Sequence, residues 1–326
     1  MKVPRLITVV PCYNEEAVLA DTHAKLSALF DQLVAEGQIA PNSTMLYVDD
    51  GSKDSTWDII ETLNRDDKYA DGLKLAHNVG HQNALLAGLT VAKDIADVLV
   101  SIDADLQDDI HVIPEMLQKF QSGCDIVYGV RNKRKADTWL KRTTALAFYR
   151  LMGWFEISSV YNHADFRLMS KRAVSQLCQY RERNLFLRGL VPLIGYQTAC
   201  VYYDRTERLA GESKYPFIKM LNFATDGITS FSIKPVRMVF MLGLLFFVVS
   251  LIILCWVFYS LLTHNVVRGW TSIILSVWLV GACILIGLGI VGEYIGKIYM
   301  EVKDRPRYNI EKKTESSNNK EEKWRM

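Results

Sequence analysis

The sequence is poor in cysteine and has no large excess of charge of either sign. Its six cysteines are scattered among 326 residues without a Cys-x-x-Cys pair. This spacing excludes a zinc ribbon or a disulfide framework and favours a reduced, cytoplasmic compartment. The 38 Lys and Arg residues nearly balance the 36 Asp and Glu residues, which leaves a net charge of +2. The chain therefore lacks the overall basic excess that would indicate a nucleic-acid partner.

A secretory signal is also missing. Only five apolar-rich residues, 6–10, precede Pro11 and a polar turn. This run is too short for the apolar core of a signal peptide. We expect it to be a strand of the folded domain instead.

Two long segments, residues 238–262 and 269–292, contain no charged residue. At about 1.5 Å per helical residue, each can cross the roughly 30 Å apolar core of a bilayer. Buried helices of a soluble core are the alternative, but core helices of this length normally keep a polar stripe. The short link 263–268 predicts a transmembrane hairpin. Lys and Arg residues are more frequent outside the hairpin than in the link, which places both chain ends in the cytoplasm.

Two further segments, 138–155 and 216–232, repeat apolar residues at helical spacing, and basic residues border the first one. Amphipathic helices with aromatic and basic residues favour the surface of an anionic leaflet. We therefore expect two helices that lie on the membrane. Covering the sheet or joining two subunits is the alternative role.

Short apolar runs alternate with helical patterns over the first 130 residues. The runs are 6–10, 44–48, 73–76, 98–102 and 126–130, and the helical patterns lie near 16–36, 55–66, 82–93 and 111–122. This alternation predicts an α/β domain with a mainly parallel sheet. Ligands of such sheets bind beyond the carboxyl ends of the strands.

Polar clusters follow each of the five predicted strands. They are Pro11-Cys12-Tyr13-Asn14-Glu15, Asp49-Asp50-Gly51-Ser52, Asn78-Val79-Gly80-His81, Asp103-Ala104-Asp105, and Arg131. We expect these clusters to converge on one crevice. Because a carboxylate accepts hydrogen bonds from N–H and hydroxyl groups, Asp50 suits a uracil or ribose contact.

A divalent metal site is predicted after the fourth strand. Asp103 and Asp105, with Gln107 as a third oxygen donor, have the composition of a Mg²⁺ or Mn²⁺ site that leaves positions for phosphate oxygens. The alternative is that these acidic residues only cap the following helix.

Six motifs recur together in one known family. They are Val9-Val10-Pro11-Cys12-Tyr13-Asn14-Glu15-Glu16, Asp49-Asp50-Gly51-Ser52, Asn78-x-Gly80-His81-Gln82, Asp103-Ala104-Asp105-Leu106-Gln107-Asp108, His163-Ala164-Asp165-Phe166-Arg167-Leu168, and Arg205-x-x-Arg208-x-x-Gly211-x-Ser213-Lys214-Tyr215. With the predicted hairpin, they resemble the family 2 GT-A glycosyltransferases, and more closely the polyprenyl-phosphate glycosyltransferases related to dolichol-phosphate mannose synthase. The resemblance extends from about residue 5 to about residue 308.

The resemblance implies a GT-A, Rossmann-like catalytic domain and inverting transfer of a sugar, most often from a UDP-sugar, to the phosphate of a long isoprenoid lipid. Since that phosphate is mostly ionised at neutral pH, it needs no strong general base. Asp165 is then the candidate that orients or activates the acceptor. An ordinary carboxylate paired with Arg167 is the alternative for Asp165.

The resemblance also implies the remaining site residues. The predicted catalytic residues are Asp105, Asp165, Arg131 and Lys214. The predicted nucleotide-sugar contacts are Pro11, Tyr13, Asn14, Glu15, Asp49, Asp50, Asn78, Gly80, Asp103, Ala104, Arg205, Arg208 and Ser213. The basic members would hold donor and acceptor phosphates. A solvated surface charge is the alternative for each of them.

The predicted organisation has four parts: a cytoplasmic GT-A domain over 1–215, an amphipathic juxtamembrane helix over 216–233, a hairpin over 234–298 with helices near 238–262 and 269–295, and a partly disordered cytoplasmic tail over 299–326. The expected partners are a UDP-sugar, undecaprenyl phosphate, the plasma membrane, a separate flippase and further copies of the chain, with a tetramer favoured by the resemblance.

Glucose is the expected sugar of this reaction. N-acetylglucosamine, mannose or a modified pentose are alternatives. A processive polysaccharide synthase would need a polymer channel, for which two membrane helices are too few. A catalytically silent membrane scaffold with the same fold is the alternative from a different class, and metal-dependent nucleotide binding would separate it from an enzyme.

Overall fold

The computed structural model describes residues 3–131, 163–182, 185–204 and 270–314, together with isolated positions between 236 and 259. The predicted membrane-surface helices 138–155 and 216–233 lie outside the described residues. The same is true of four predicted site residues: Arg205, Arg208, Ser213 and Lys214. The described residues form two units, one with 3–131, 163–182, 185–204 and 305–314 and the other with 270–304 and the isolated positions between 236 and 259.

The first unit is built on an eight-stranded sheet. Its strands are β1 Leu6–Cys12, β2 Thr44–Asp49, β3 Ala70–Leu75, β4 Val98–Ser101, β5 Ile126–Arg131, β6 His163–Ser170, β7 Thr198–Tyr203 and β8 Ile310–Lys313. Its helices are α1 Leu19–Ala35, α2 Thr56–Asp66, α3 His81–Ala92, α4 Ile113–Gln121, α5 Lys171–Leu177 and α6 Leu187–Leu193. A 3-10 turn, Ile110–Val112, precedes α4.

The strands follow the order β7-β5-β6-β4-β1-β2-β3-β8 across the sheet. β1 is parallel to β2 and β4, β2 is parallel to β3, and β5 is parallel to β7. β6 runs antiparallel between β4 and β5, and β8 pairs antiparallel with β3. The predicted α/β class with a mainly parallel sheet is confirmed, and all five predicted strands are present.

Helices pack on both faces of the central strands, which explains why β1, β2 and β4 are buried along their whole length. Val10 belongs to the apolar core that also contains residues of α1 and α4. The neighbouring Val9 points to the other face, where Gly88 of α3 lies against it. A Cβ on Gly88 would approach Val48 Cγ2 to 2.7 Å, so α3 packs this closely only because the residue is glycine.

The second unit contains α7, a 33-residue helix from Trp270 to Val302. The segment Cys283–Val302 is long and apolar enough to cross a membrane, and most of it is exposed. The predicted helix 269–295 therefore continues to Val302. The described positions between 236 and 259 are helical. Most of the predicted first span, 238–262, lies outside the described residues, so the hairpin stays a prediction.

Part of the predicted tail is ordered. Residues 310–313 form β8, and Thr314 N donates a hydrogen bond to Gly72 O at 3.0 Å. Within the predicted, partly disordered tail 299–326, Lys312 and Lys313 are therefore ordered as part of a strand. Their polarity suits an exposed edge strand, in which one side of the backbone is paired and the side chains face water.

Candidate active site

The loop after β1 is fastened to the loop after β2. Asn14 N donates to Ser52 Oγ at 3.0 Å, and Asn14 Oδ1 accepts a hydrogen bond from Lys53 N at 2.9 Å. Glu15 N donates to Thr56 Oγ1 at 2.9 Å. Asn14 has a φ of 56°, in the left-handed region that asparagine tolerates better than most residues. The predicted contacts Asn14 and Glu15 therefore lie beside the turn that follows β2.

Asp50 joins this turn to the one after β3. Its Oδ1 accepts a hydrogen bond from Val79 N at 2.7 Å, and its Oδ2 accepts one from Gly80 N at 2.9 Å. Burial raises the pKa of Asp50, although these two hydrogen bonds oppose the shift. Both carboxylate oxygens are thus already engaged. Each oxygen keeps a second lone pair, so these two hydrogen bonds do not exclude the predicted uracil or ribose contact.

Asp49 is fully buried at the end of β2. Ser52 N donates to its Oδ1 at 3.2 Å, whereas its Oδ2 has no hydrogen-bond partner among the described residues. Burial raises the pKa of Asp49. An unpaired buried acceptor is unfavourable, but this oxygen has almost no exposed surface, so a ligand donor would reach it only if the turn moved.

The remaining predicted contacts lie on the same loops. Pro11 is buried within β1, whereas Tyr13, Asn78 and Gly80 are exposed. Gly51 has a φ of 66°, and a Cβ on it would lie 2.7 Å from Asn78 N. Only glycine therefore allows the turns after β2 and β3 to approach this closely.

The loop after β4 is a tight turn that displays two carboxylates. Thr22 Oγ1 donates to Ala104 O at 2.5 Å, and Gln107 N donates to Asp105 Oδ1 at 3.3 Å. Leu106 has a φ of 42°, which is unusual for a branched side chain. Strain of this kind persists only where the surroundings impose it, and it is common at functional sites.

Four carboxylates crowd around this loop. Burial, together with repulsion from Asp165, Asp108 and Asp105, raises the pKa of Asp103 to about 6, against the attraction of His81. His81 Nε2 lies 3.5 Å from Asp103 Oδ1. A cation bound here would relieve the repulsion among these carboxylates.

A divalent metal fits this arrangement through two carboxylates. Within the described residues, no group of three His, Cys, Asp or Glu side chains forms a metal site. Asp103 and Asp105 are compatible with Mg²⁺ or Mn²⁺, since such ions are often held by one or two carboxylates plus substrate phosphates. The predicted third donor, Gln107, is 4% exposed.

Asp165 lies beside the loop after β4, which carries the predicted metal residues. β4 and β6 are antiparallel with Ser101 opposite Arg167, so two residues further along Asp165 comes opposite Asp103. Ser101 Oγ also donates to Asp165 O at 2.5 Å. The structure therefore brings the predicted acceptor residue to the predicted metal residues.

Two arginines hold the Asp165 carboxylate. Arg167 Nη2 donates to its Oδ1 at 2.6 Å, and Arg188 Nη2 donates to its Oδ2 at 2.9 Å. Burial alone would raise the pKa of Asp165, but the Arg188 and Arg167 guanidiniums hold it well below its usual range. Asp165 is therefore ionised at every physiological pH.

Arg131 is engaged by Asp108 at the end of β5. Its Nε and Nη2 lie 2.9 and 2.8 Å from Asp108 Oδ1, and Tyr203 Oη donates to the same oxygen at 2.7 Å. Arg131 was predicted to contact phosphates. The structure places it near the carboxylate cluster, where Asp108 balances its charge.

Sequence reasoning missed three residues of this site: Asp108, Tyr203 and Arg188. Asp108 belongs to a recognised motif, but it was not predicted as a site residue. Tyr203 and Arg188 belong to no motif. An arginine next to apolar residues that begin a helix, as in Phe186-Leu187-Arg188-Gly189, was the only signal for Arg188.

The family model and the relatives found by sequence comparison agree on one family. The family described as glycosyl transferase family 2 matches residues 8–178. An uncharacterized glycosyltransferase of Bacillus subtilis is 54% identical over 94% of this chain and 91% of its own length. The SfII prophage-derived bactoprenol glucosyl transferase of Shigella flexneri is 40% identical over 94% of this chain and 98% of its own length.

Among solved structures, glucosyl-3-phosphoglycerate synthase from Mycobacterium tuberculosis, in complex with Mn²⁺, UDP and phosphoglyceric acid, is similar with a TM-score of 0.46 and 16% identity. The match covers 69% of this chain and 76% of that one. The two relatives found by sequence match far more of the chain and at higher identity. On their strength, this chain belongs to glycosyl transferase family 2 and is a glycosyltransferase.

Proposed function

We propose that this protein is a membrane-bound inverting glycosyltransferase that moves glucose from UDP-glucose to a polyprenyl phosphate such as undecaprenyl phosphate. The bactoprenol glucosyl transferases support this choice of sugar and acceptor, because the similarity covers nearly the whole of both chains. The exposed apolar segment Cys283–Val302 suits an enzyme whose acceptor is dissolved in a bilayer.

The observation that carries the proposal is the state of Asp165. A general base that deprotonates a hydroxyl works best with a pKa near the working pH. Asp165 is instead held ionised by Arg167 and Arg188, which lower its pKa and occupy its oxygens. This arrangement suits an acceptor that arrives already ionised, as a phosphate monoester does.

The reaction then needs no proton transfer at the start. A phosphate oxygen of the acceptor attacks the anomeric carbon of the sugar, and the bond from that carbon to the donor diphosphate breaks, so that UDP leaves with the bonding electrons. Attack from the face opposite the diphosphate inverts the configuration. Asn14, Asp49 and Asp50 would lie on the nucleotide side of the site, and Asp165 on the acceptor side.

Asp103 and Asp105 would hold Mg²⁺ or Mn²⁺, which supplies positive charge for the departing diphosphate. Arg131 would add contacts to donor and acceptor phosphates, as would Arg205, Arg208, Ser213 and Lys214, which lie outside the described residues. The catalytic domain and both chain ends would be cytoplasmic, on a plasma-membrane hairpin, and the protein would be a homo-oligomer. A product used outside the cell would require a separate flippase.

The proposal is tested with purified protein in liposomes that contain undecaprenyl phosphate, with Mg²⁺ or Mn²⁺ and a panel of labelled UDP- and GDP-sugars. We expect labelled lipid from UDP-glucose, and loss of the product with EDTA or in Asp105→Ala. Asp94→Ala is the matched control, because Asp94 is exposed and precedes β4, at the opposite edge of the sheet.

Two other outcomes would change the proposal. Labelled lipid from UDP-N-acetylglucosamine, a mannose donor or a pentose donor, but not from UDP-glucose, would replace the sugar and keep the reaction. No product from any donor, together with no metal-dependent UDP binding, would favour the membrane scaffold.

A further inference from the structure

Arg188 is a partly exposed cation at the candidate active site. It lies at the start of α6, and its Nε and Nη2 donate to Asp165 Oδ1 and Oδ2 at 3.2 and 2.9 Å. The Arg188 side chain is 36% exposed, whereas that of Asp165 is 17% exposed. Among the described residues, Arg188 Nη1 has no hydrogen-bond partner. One edge of the guanidinium thus faces Asp165, and the other remains available to a ligand.

The backbone that carries Arg188 is firmly held. Leu187 N donates to Gln82 Oε1 at 2.8 Å, and the Leu187 side chain is buried. Gln82 is the second residue of α3, which packs against β1 and β2. Arg188 is therefore fixed by α3 on its backbone side and by Asp165 on its side-chain side. Such preorganisation lowers the entropy lost when a cation binds a ligand.

Arg188 lies on the acceptor side of the proposed metal site. The nucleotide candidates follow β1, β2 and β3, which are on one side of β4 in the sheet. Asp165 is on β6, which is on the other side of β4. If the donor diphosphate lies at Asp103, a second phosphate next to Asp165 must belong to the acceptor.

Among the described arginines near Asp165, Arg188 has the most exposed side chain. Arg167 is 1% exposed and Arg131 is 17% exposed, so neither presents as much surface as Arg188 does. Burial alone would lower the pKa of Arg188, but attraction from Asp165 and Asp103 raises it, so the guanidinium is always protonated. A doubly charged phosphate that enters beside four carboxylates needs such a cation.

We propose that Arg188 binds the phosphate of the acceptor, and that Asp165 holds the Arg188 guanidinium in the plane that this contact requires. The inference rests on the proposed transfer to a lipid phosphate. A guanidinium fork matches the oxygens of a phosphate better than an ammonium does. Asp165 is then a positioning residue for Arg188, and it takes no proton in the reaction.

The test compares the wild type with Arg188→Gln and Arg188→Lys. The matched control is Arg172→Gln, because Arg172 makes the same kind of two-point contact with Asp125 at the opposite edge of the sheet. Initial rates are measured against undecaprenyl phosphate and, separately, against the donor sugar. Metal-dependent UDP binding and the thermal midpoint of each variant are measured in the same detergent.

We expect Arg188→Gln to lower kcat/KM for the lipid phosphate by roughly 10- to 100-fold, which corresponds to the loss of one charge-assisted contact. UDP affinity should stay within about twofold of the wild-type value. Arg188→Lys should recover part of the loss because it keeps the charge but not the fork. Arg172→Gln should leave both kinetic constants unchanged.

Three outcomes would overturn the inference. The first is that Arg188→Gln and Arg188→Lys both behave like Arg172→Gln. The second is that UDP affinity falls while the KM for the lipid stays constant, a result that would assign Arg188 to the donor. If Arg188→Gln fails to fold, a folded Arg188→Lys variant with wild-type KM for the lipid phosphate would also contradict it. A wild type that makes no lipid-linked sugar from any donor would overturn the proposed function itself.

Discussion

Asp108 and Arg131 form a buried ion pair in which two guanidinium nitrogens lie 2.9 and 2.8 Å from one carboxylate oxygen. The Tyr203 hydroxyl donates to the same oxygen at 2.7 Å. Since Asp108 is 2% exposed, this pair anchors Arg131 at the end of β5. It also connects the loop after β4 to β7.

Asp108→Ala would remove a carboxylate partner of the half-buried Arg131 guanidinium. We expect the free energy of unfolding to fall by about 3–5 kcal/mol, as is typical when one member of a buried pair is removed. The measurement is denaturation of the purified protein in detergent. Asp109→Ala is the control, since it removes only a hydrogen bond from His111 N and should cost about 1 kcal/mol. Equal losses in both variants would contradict the role of the buried pair.

Gly51→Ala should disrupt the turns around the nucleotide side of the site. Gly51 has a φ of 66°, and a Cβ on it would meet the backbone of His77 and Asn78 at 2.7 Å. We expect weaker UDP binding and a lower thermal midpoint. Gly37→Ala is a closely matched control, because Gly37 has a φ of 67° but no atom within 4 Å of the added Cβ. The variants share the backbone strain, of order 1 kcal/mol. Identical thermal midpoints and UDP affinities would show that the close approach to Asn78 has no effect.

Strands β1 to β5 were predictable because the sequence signals for them are local. Each of β1 to β5 is a short apolar run, and each is followed directly by polar residues. β6, β7 and β8 were not predicted as strands. β8 pairs with β3 across more than 230 residues of chain, as the contact between Lys74 and Glu311 shows. Pairing over such a distance leaves no local pattern in the sequence.

The residues of the site that belong to local motifs were also predictable. Asp103, Asp105 and Asp165 belong to recognisable motifs, and the structure brings the loop after β4 next to Asp165. Only one of the two arginine partners of Asp165 was predicted. Arg167 was considered because it is two residues away, whereas Arg188 reaches Asp165 only through the position of α6. The spacing of charged residues along a chain does not determine which pairs meet in the fold.

Asp67 makes the sheet unit less stable at acidic pH. Burial would raise the pKa of Asp67, but hydrogen bonds with His23 and Ser27 lower it to about 2 from 3.8. A carboxyl whose folded pKa is lowered stabilises the fold above its unfolded pKa, and this contribution is lost as the pH falls through the folded pKa. The contribution is about 2 kcal/mol at neutral pH, and it should disappear between about pH 4 and pH 2.

Asp67→Asn tests this pH dependence. The variant should be less stable than the wild type at pH 7, and the difference should narrow as the pH approaches 2. Denaturation curves at several pH values measure it. Asp21→Asn is the control, because Asp21 is an exposed carboxylate that contacts Lys25 within one helix. A difference between Asp67→Asn and wild type that stays constant with pH would contradict the assignment.

Gln82 should affect the reaction through the position of Arg188. Its Oε1 accepts a hydrogen bond from Leu187 N at 2.8 Å. Gln82→Met removes this acceptor while keeping a side chain of similar length, so we expect a several-fold higher KM for the lipid phosphate and an unchanged affinity for UDP. Gln82→Glu keeps an acceptor oxygen and should be closer to the wild type. Equal effects of the two substitutions would show that the hydrogen bond is not what positions Arg188.

Thr314 should stabilise the edge of the sheet through both its backbone and its side chain. Thr314 N donates to Gly72 O at 3.0 Å, and Gly72 N donates to Thr314 Oγ1 at 2.7 Å. Thr314→Val removes only the hydroxyl and should lower the free energy of unfolding by about 1 kcal/mol. Thr314→Pro removes the backbone donor as well, so its loss should be larger. Glu311→Ala, which removes only an exposed contact with Lys74, is the control and should have little effect. If Thr314→Pro unfolds at the wild-type midpoint, the pairing of β8 with β3 does not contribute to stability.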